Sequence, residues 1–352
     1  MKYWVIFIMM LLATPSWGAT QLKKTVCPSG CDYTSLESCM NANEQNLVTA
    51  DKYFDVEISG TWSSADTTAV TIHNYTTDAT RHINIYTTGS ARHQGKYSTS
   101  YYRLVSNANP FVYILSNFVT LDGLQIKDTK TSSGTYQYGA LLANADYITI
   151  KSSIFISDLT GDATTNAVVQ ISGDSRHFTI RNSILQGLAC PAIAFAPYYG
   201  TGANQVFENC TLIGSSTVSI LRVSYTGNYG YTVKNCYGVN LDSGTVYPSL
   251  TYAVITTSAS SDTTGTSGLQ NISYSTSNFT NVTSGSEDLH LVSGSALINA
   301  GTDLSATFTT DIDGDTRSGT WDIGADEYVS SGGSTPFGSI IGDGVWNDVV
   351  FK

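Results

Sequence analysis

The stretch "YTVKNCYG", Tyr231 to Gly238, repeats in outline as "QVFENCTL", Gln205 to Leu212, with the two Asn-Cys pairs 26 residues apart. Three earlier stretches share the form: "VTLDGLQI" from Val119, "ITIKSSIF" from Ile148 and "FTIRNSIL" from Phe178. Each has two apolar residues one apart, then a charged residue, a small polar corner and a second short β run. The corners are Gly123, Ser152, Asn182, Asn209 and Asn235, at spacings of 29, 30, 27 and 26. Another β run precedes each corner: "FVYI" (Phe111), "GALLA" (Gly139), "AVVQI" (Ala167), "AIAFA" (Ala192) and "SILRV" (Ser219). "YAVIT" (Tyr252) follows as a sixth. Loops of Gly, Ser, Thr, Asn and Asp join the runs.

A unit of this kind cannot bury its apolar face alone. Stacked copies can, each strand bonding its equivalent one turn away at ~4.8 Å, which makes a parallel β-solenoid. An antiparallel sandwich also uses many short strands, but fixed corner chemistry at a fixed period favours the solenoid. Asn suits the corner because it tolerates the left-handed conformation, and stacked amides can bond along the coil. The next column, Ser153, Ser183, Cys210 and Cys236, is small, as a tight bend demands. Cys210 and Cys236 on adjacent turns fall within disulfide range, but in-register side chains point the same way, so two stacked buried thiols are the expectation.

The chain of 352 residues is 41% hydrophobic, enough for a core, and carries 17 Lys+Arg against 28 Asp+Glu, a net of −11. An acidic chain without a basic run excludes nucleic acid as a natural partner, since phosphates need a Lys/Arg footprint. Residues 1–18 read as a secretory signal: Lys2, an apolar run over Val5 to Leu12, Pro15, then small Ser16 and Gly18. The run is short for a bilayer span of ~20 residues, so no membrane span is expected and the product is secreted, extracellular or at the cell surface. The six cysteines permit local disulfides in that setting, with one expected among Cys27, Cys31 and Cys39. The five histidines do not cluster with them, so a cysteine zinc site is not expected.

Open solenoid ends need caps. In "CDYTSLESCMNA" Thr34 and Glu37 make a capping box, and Leu36, Cys39 and Met40 one apolar helical face. The expected organisation is an N-terminal cap over 19–50 with a short helix, coils over 51–290, a C-terminal capping segment over 291–329 and a flexible linker and tail over 330–352.

The coil pattern resembles the right-handed parallel β-helix superfamily, the pectate-lyase-like fold of secreted bacterial proteins. "DIDGDTRSGTWDIGADEY" (Asp311 to Tyr328) is similar to the closing segment of such proteins, and "ARHQGKYSTSYYRL" (Ala91 to Leu104) with "LDGLQI" to their early coils. The likeness spans about 25–328, departing at Ala296, where relatives often carry Pro. It implies an all-β, single-stranded right-handed parallel β-helix. It leaves activity open, because the superfamily holds polysaccharide lyases, hydrolases, phage spikes and adhesins.

The lyases of that superfamily, as the resemblance has it, work on the outer face of the sheet leading into the corner, with acidic calcium ligands or an Arg/Lys base. Alternation places Tyr113, Leu141, Gln170, Ala194 and Arg222 on that face. No carboxylate is among them. Arg222 is the candidate base, although arginine gives up its proton so reluctantly that a solvated role is simpler. "GDSRH" groups Asp174, Arg176 and His177, an acid/base set or a polar turn, and Asp158 and Asp162 make a candidate carboxylate pair for sugar hydrolysis. Asp122, Lys151, Arg181, Glu208 and Lys234 form an outer column of mixed sign, read as a solvated face. Asp311, Asp313, Asp315 and Asp322 sit at calcium-loop offsets, without the glycine at the sixth position or a final Glu. A structural cap with Arg317 on one carboxylate is the stronger reading, and calcium the only cofactor candidate.

Tyrosine is abundant, 22 in all. Tyr198 and Tyr199, then Tyr225, Tyr229 and Tyr231, fall in successive turns near the candidate face, where flat rings with hydroxyls suit sugars. With Gln170 and Arg222, the residues Tyr198, Tyr199 and Tyr225 make the expected ligand-binding set. Asn182, Asn209, Asn235, Cys210 and Cys236 are structural. Three functions stay in play: an adhesin-like binder of polysaccharide or surface glycan, a polysaccharide lyase or glycoside hydrolase, and a self-assembling structural protein.

Overall fold

A computed structural model describes residues 18–131, 137–160, 166–172, 175–196, 204–217, 219–223, 230–248 and 253–330. Residues 1–17 of the expected signal and residues 331–352 of the expected linker and tail lie outside them. The architecture is the right-handed parallel β-helix, of about seven turns. Its nine-stranded sheet runs from Thr20–Val26 through Lys52–Ile58, Ile83–Thr87, Val119–Asp122, Ile148–Lys151, His177–Arg181, Asn204–Glu208 and Gly230–Lys234 to Ala253–Thr256. A seven-stranded sheet spans Leu104–Ser106 to Ala259–Ser260, and a six-stranded sheet Val70–Ile72 to Leu221–Val223. Neighbouring strands in all three are parallel, and Val119, Ile148 and Phe178 share one position on successive coils.

Alternation decides what faces in. Val119 and Leu121, Ile148 and Ile150, Phe178 and Ile180 are all buried, while Thr120, Thr149 and Thr179 between them look outward. Burying each large apolar side chain contributes roughly 1.5–3 kcal/mol, so stacked columns supply what one coil lacks. Tyr231 belongs to this inner set at 2% exposure, not to an outer aromatic patch.

Every expected corner is left-handed: Gly123 (φ 75°), Ser152 (44°), Asn182 (45°), Asn209 (48°) and Asn235 (51°), and Thr257 (47°) adds a sixth. Behind them runs a hydrogen-bond ladder. Leu124 N–H donates to Ser153 Oγ (3.1 Å), Ser153 N–H to Ser183 Oγ (3.2 Å), Cys210 N–H to Cys236 Sγ (3.4 Å) and Cys236 N–H to Ser258 Oγ (3.3 Å). Each side chain also donates to the carbonyl two residues back, as Ser183 does to Arg181 O at 2.7 Å and Cys236 to Lys234 O at 3.3 Å. Cys210 and Cys236 are free, buried thiols, so the column is a polar relay as well as a tight space.

At the N-terminal end the helix Leu36–Ala42 places Leu36, Cys39 and Met40 in the core. Its cap is Ser35, which accepts from Ser38 N–H at 3.3 Å, rather than Thr34. Glu37 does not close a capping box. Its carboxylate instead accepts Thr71 N–H at 2.8 Å, satisfying a donor on the edge strand of the six-stranded sheet. Cys27 and Cys31 form the disulfide, and Cys39 is a free thiol. Parallel pairing begins with Thr20–Val26, inside the stretch expected as a cap.

The C-terminal segment lies along the flank of the coils. After Ala259–Ser260 the chain makes an antiparallel ribbon, Phe279–Asn281 with Asp288–Leu291, then runs without regular structure over the outside of the seven-stranded sheet. There Leu297, Ile312, Ile323 and Ala325 meet Ile154, Ile184, Ile213 and Tyr237 in a second apolar cluster. Scattered backbone–backbone bonds, such as Ile312 N–H to Ala325 O at 3.1 Å and Ile323 N–H to Leu297 O at 3.0 Å, hold the segment in part, and carboxylates take further N–H groups. Asp311 accepts N–H groups from Asp313, Gly314 and Asp315 on one oxygen (2.9–3.0 Å) and from Glu327 on the other (3.0 Å). Asp322 accepts from Asn299 and Tyr328, each at 2.6 Å. The corner asparagines complete the clasp: Asn182 donates to Thr310 O (2.5 Å), Asn209 to Asp322 O (2.9 Å) and Asn235 to Thr302 O (2.7 Å). Among the described residues one rung joins two corners, Asn235 Nδ2 to Asn209 Oδ1 at 3.2 Å. Buried Arg317 pairs with Glu327 at 3.1 Å and reaches Asn182 Oδ1, also at 3.1 Å.

Candidate ligand-binding face

The strands carrying the expected site form the six-stranded sheet. The sheet leading into the corner is the nine-stranded one, a turn further along the chain. The outward column of the six-stranded sheet is Thr71, Tyr113, Leu142, Gln170, Ala194 and Arg222, so Leu142 replaces Leu141, which faces in. Gln170 and Ala194 are buried on it, at 1% and 0% exposure. No carboxylate stands among these six positions. Tyr198, Tyr199, Tyr225, Tyr229, Asp162 and Asp174 lie outside the described residues. Arg176 is exposed and belongs to a different face: its Nε lies 3.3 Å from Asp146 and its N–H donates to the same carboxylate at 2.5 Å. Asp158 pairs with Lys127 at 3.5 Å.

The calcium-loop acids do not converge either. Asp311 spends both oxygens on backbone N–H groups and Asp322 does the same, as the clasp requires. Burial, with the nearby charges of Asp313 and Asp326, pushes Asp311 up to about 7, against the pull of those N–H donors.

The nine-stranded sheet carries an arrangement that the sequence reading overlooked. The residue just before the first inward position of successive strands is Tyr53, His82, Phe118, Tyr147 and His177, one column across successive coils. Phe118 and Tyr147 stack with ring centroids 4.4 Å apart and planes within 4°, and Tyr147 and His177 at 4.3 Å within 3°. Tyr53 and His82 stack at 5.7 Å. Left-handed backbone at Phe118 (φ 53°) and Tyr147 (φ 60°) turns the chain into the sheet at this point and stands the rings on its rim. Tyr147 is 45% exposed. Because the rings of this stack cover one another's faces, they present edges, with the positive rim of the π system and the Tyr147 hydroxyl outward. The signal was in "NFVTLD", "DYITIK" and "RHFTIR", where the ring always precedes the same strand position.

Beside this wall lies an open trough of about 340 Å³, floored by Asn84, Thr120, Thr149 and Thr179. Its far bank is the charged column, whose acids are paired: Asp122 with Arg92 (2.8 Å) and Lys151 (3.2 Å), and Glu208 with Arg181 (2.7 Å). Asp55 is bonded by Gln21 (2.5 Å) and Asn84 (2.9 Å). The face therefore offers hydroxyls, amides and ring edges, and its carboxylates are engaged.

No protein-family model matches the chain, and no curated protein does. Among solved structures it is similar to a pectin methylesterase from Aspergillus niger, at 12% identity and TM-score 0.38, over 70% of this chain and 84% of that one. A pectate lyase is similar at 12% identity and TM-score 0.34, over 89% and 97%. A pectin methylesterase variant in complex with a hexasaccharide follows at 11% and 0.31, over 60% and 70%. Likeness at this level assigns no activity, and fold does not choose function. No helix among the described residues is long and apolar enough to cross a membrane.

Proposed function

We propose that this chain is an exported polysaccharide-binding β-helix, acting outside the cell or at its surface, and that the trough on the nine-stranded sheet is where an extended glycan lies. The observation that carries the reading is the continuous wall of Phe118, Tyr147 and His177 rings beside the Thr120, Thr149 and Thr179 hydroxyls. Both columns repeat at the coil rise of ~4.8 Å, a spacing that suits a sugar chain running along the axis with one similar contact per residue. The trough's volume falls in the range of ligand sites, roughly 300–1,000 Å³. Paired acids on this face and the absence of carboxylates on the outward column of the six-stranded sheet favour holding a glycan over cleaving one, since hydrolysis needs two positioned carboxyl groups.

Affinity electrophoresis against a panel of neutral and uronic polysaccharides tests this. At least one should retard the wild type, and Tyr147→Ala with His177→Ala should weaken that binding about tenfold or more, the loss of one or two aromatic contacts. The reading fails if no polysaccharide binds or if the double variant binds as the wild type does.

A further inference from the structure

Where the C-terminal segment meets the loop around Gly95, three side chains from separate stretches converge. His290, Asp313 and Asp326 each offer a donor atom, all within 4.8 Å of one another. His290 Nε2 lies 2.8 Å from Asp313 Oδ2, and its Nδ1 lies 2.5 Å from Asp288 Oδ1. The other oxygen of Asp313 is buried with no hydrogen-bond partner. Asp326 is 7% exposed and commits Oδ2 to Leu291 N–H at 2.7 Å, a bond that fixes the orientation of its carboxylate. Gly95, at φ 64°, closes over the group so tightly that a Cβ there would collide with Asp313 Oδ1 and His290 Nε2.

We propose that His290, Asp313 and Asp326 bind one divalent transition-metal ion of the zinc type. An imidazole with two carboxylates suits zinc, with bonds of ~2.0–2.2 Å and a fourth position for water, whereas calcium takes six to eight oxygens. A ligating histidine typically hands its other N–H to a carboxylate, and Asp288 stands at Nδ1 to receive it. Asp288 is thus the positioning residue. The ion offsets the charge of Asp288, Asp313 and Asp326, against which stand His290, the half-exposed Lys96, 3.2 Å from Asp288, and Arg317, whose charge acts on Asp326. It ties the ribbon to the C-terminal segment at one point, beneath the Gly95 loop.

The test uses the untagged full chain, stripped with chelator and dialysed. Zinc titrated calorimetrically should bind at one equivalent and raise the unfolding temperature, cobalt should give a visible d–d band, and calcium should do neither. Asp313→Asn should abolish the cobalt band while circular dichroism stays native, and His290→Gln should do the same. Asp288→Asn should weaken zinc about 10- to 100-fold. The proposal is overturned if the folded wild type takes up no zinc, if calcium replaces zinc in these assays, or if Asp313→Asn binds zinc as tightly as the wild type. The wild-type titrations decide alone should either ligand variant fail to fold.

Discussion

The backbone N–H of Cys210 donates to Sγ of Cys236, one coil further on, at 3.4 Å. The same bond is made to oxygen where Ser153 N–H meets Ser183 Oγ, so a hydroxyl should serve at Cys236 as well as the thiol. Cys236→Ser is expected to change stability by less than about 1 kcal/mol, whereas Cys236→Ala orphans a buried donor and should cost about 1–3 kcal/mol. Urea unfolding of both variants measures it, and equal costs would remove the ladder from the account. Burial pushes the Cys236 thiol well above its usual range, so a thiol reagent should label it only after unfolding.

His93 is buried, with Nε2 donating to Ser152 O at 2.9 Å and Nδ1 accepting Gly95 N–H at 3.2 Å, which is the neutral ring. Burial, helped by the charge of Arg92, lowers its pKa to about 4. The unfolded state, near 6.5, binds the proton first. Stability from this group is therefore full above about pH 6.5 and is lost as pH falls towards 4, by up to about 3 kcal/mol. His93→Gln should flatten the wild-type decline over that window. A parallel decline in the variant would assign it to other groups.

Arg317 holds the C-terminal segment through Glu327, Asn182 and the carbonyls of Gly324 and Ala325. Arg317→Met leaves Glu327 buried without its cation, a loss of about 3–5 kcal/mol. Since the segment docks on the outside of the coils, proteolysis should begin between residues 297 and 328 while the strands resist. Cleavage scattered through the coils instead would show that segment and coils unfold together.

Consensus reasoning along the corners would put Asn at Gly123. The structure predicts the opposite result, because a Cβ there collides with Thr87 Oγ1 and with Arg92, itself held by Asp122 at 2.8 Å. Gly123→Asn should lower stability by about 1–3 kcal/mol through overpacking, whatever Asn gains in the left-handed region. A thermal scan that finds the variant at or above the wild type would refute this.

The rungs were legible because corner residues repeat and side chains alternate, and both follow from backbone geometry within a single coil. The Asn-Cys pairs read as architecture, and in the structure Asn209 and Asn235 take left-handed backbone with the Cys210 and Cys236 thiols buried behind them. Less legible was anything that depends on a partner far away in sequence. Asn182 meets Thr310, and His290 meets Asp313 and Asp326, only because the C-terminal segment runs along the flank, a path that no local pattern encodes. Reading "DIDGDTRSGTWD" as a calcium loop or a cap took its acids as one set, although Asp311 and Asp322 clasp backbone while Asp313 points to a histidine. The aromatic column is encoded locally but disguised, since Phe118, Tyr147 and His177 are three residue types in one register position.

In a bare solenoid each coil touches only its neighbours, so stability is a sum of local terms and the ends can fray coil by coil. Here one strap bonds Asn182, Asn209 and Asn235 on three consecutive turns and returns through Arg317 to the first of them. That adds an interaction spanning non-adjacent coils, and the stretch from Asn182 to Asn235 should melt as a single cooperative block while the coils nearer the N-terminus keep the freedom to unravel one at a time.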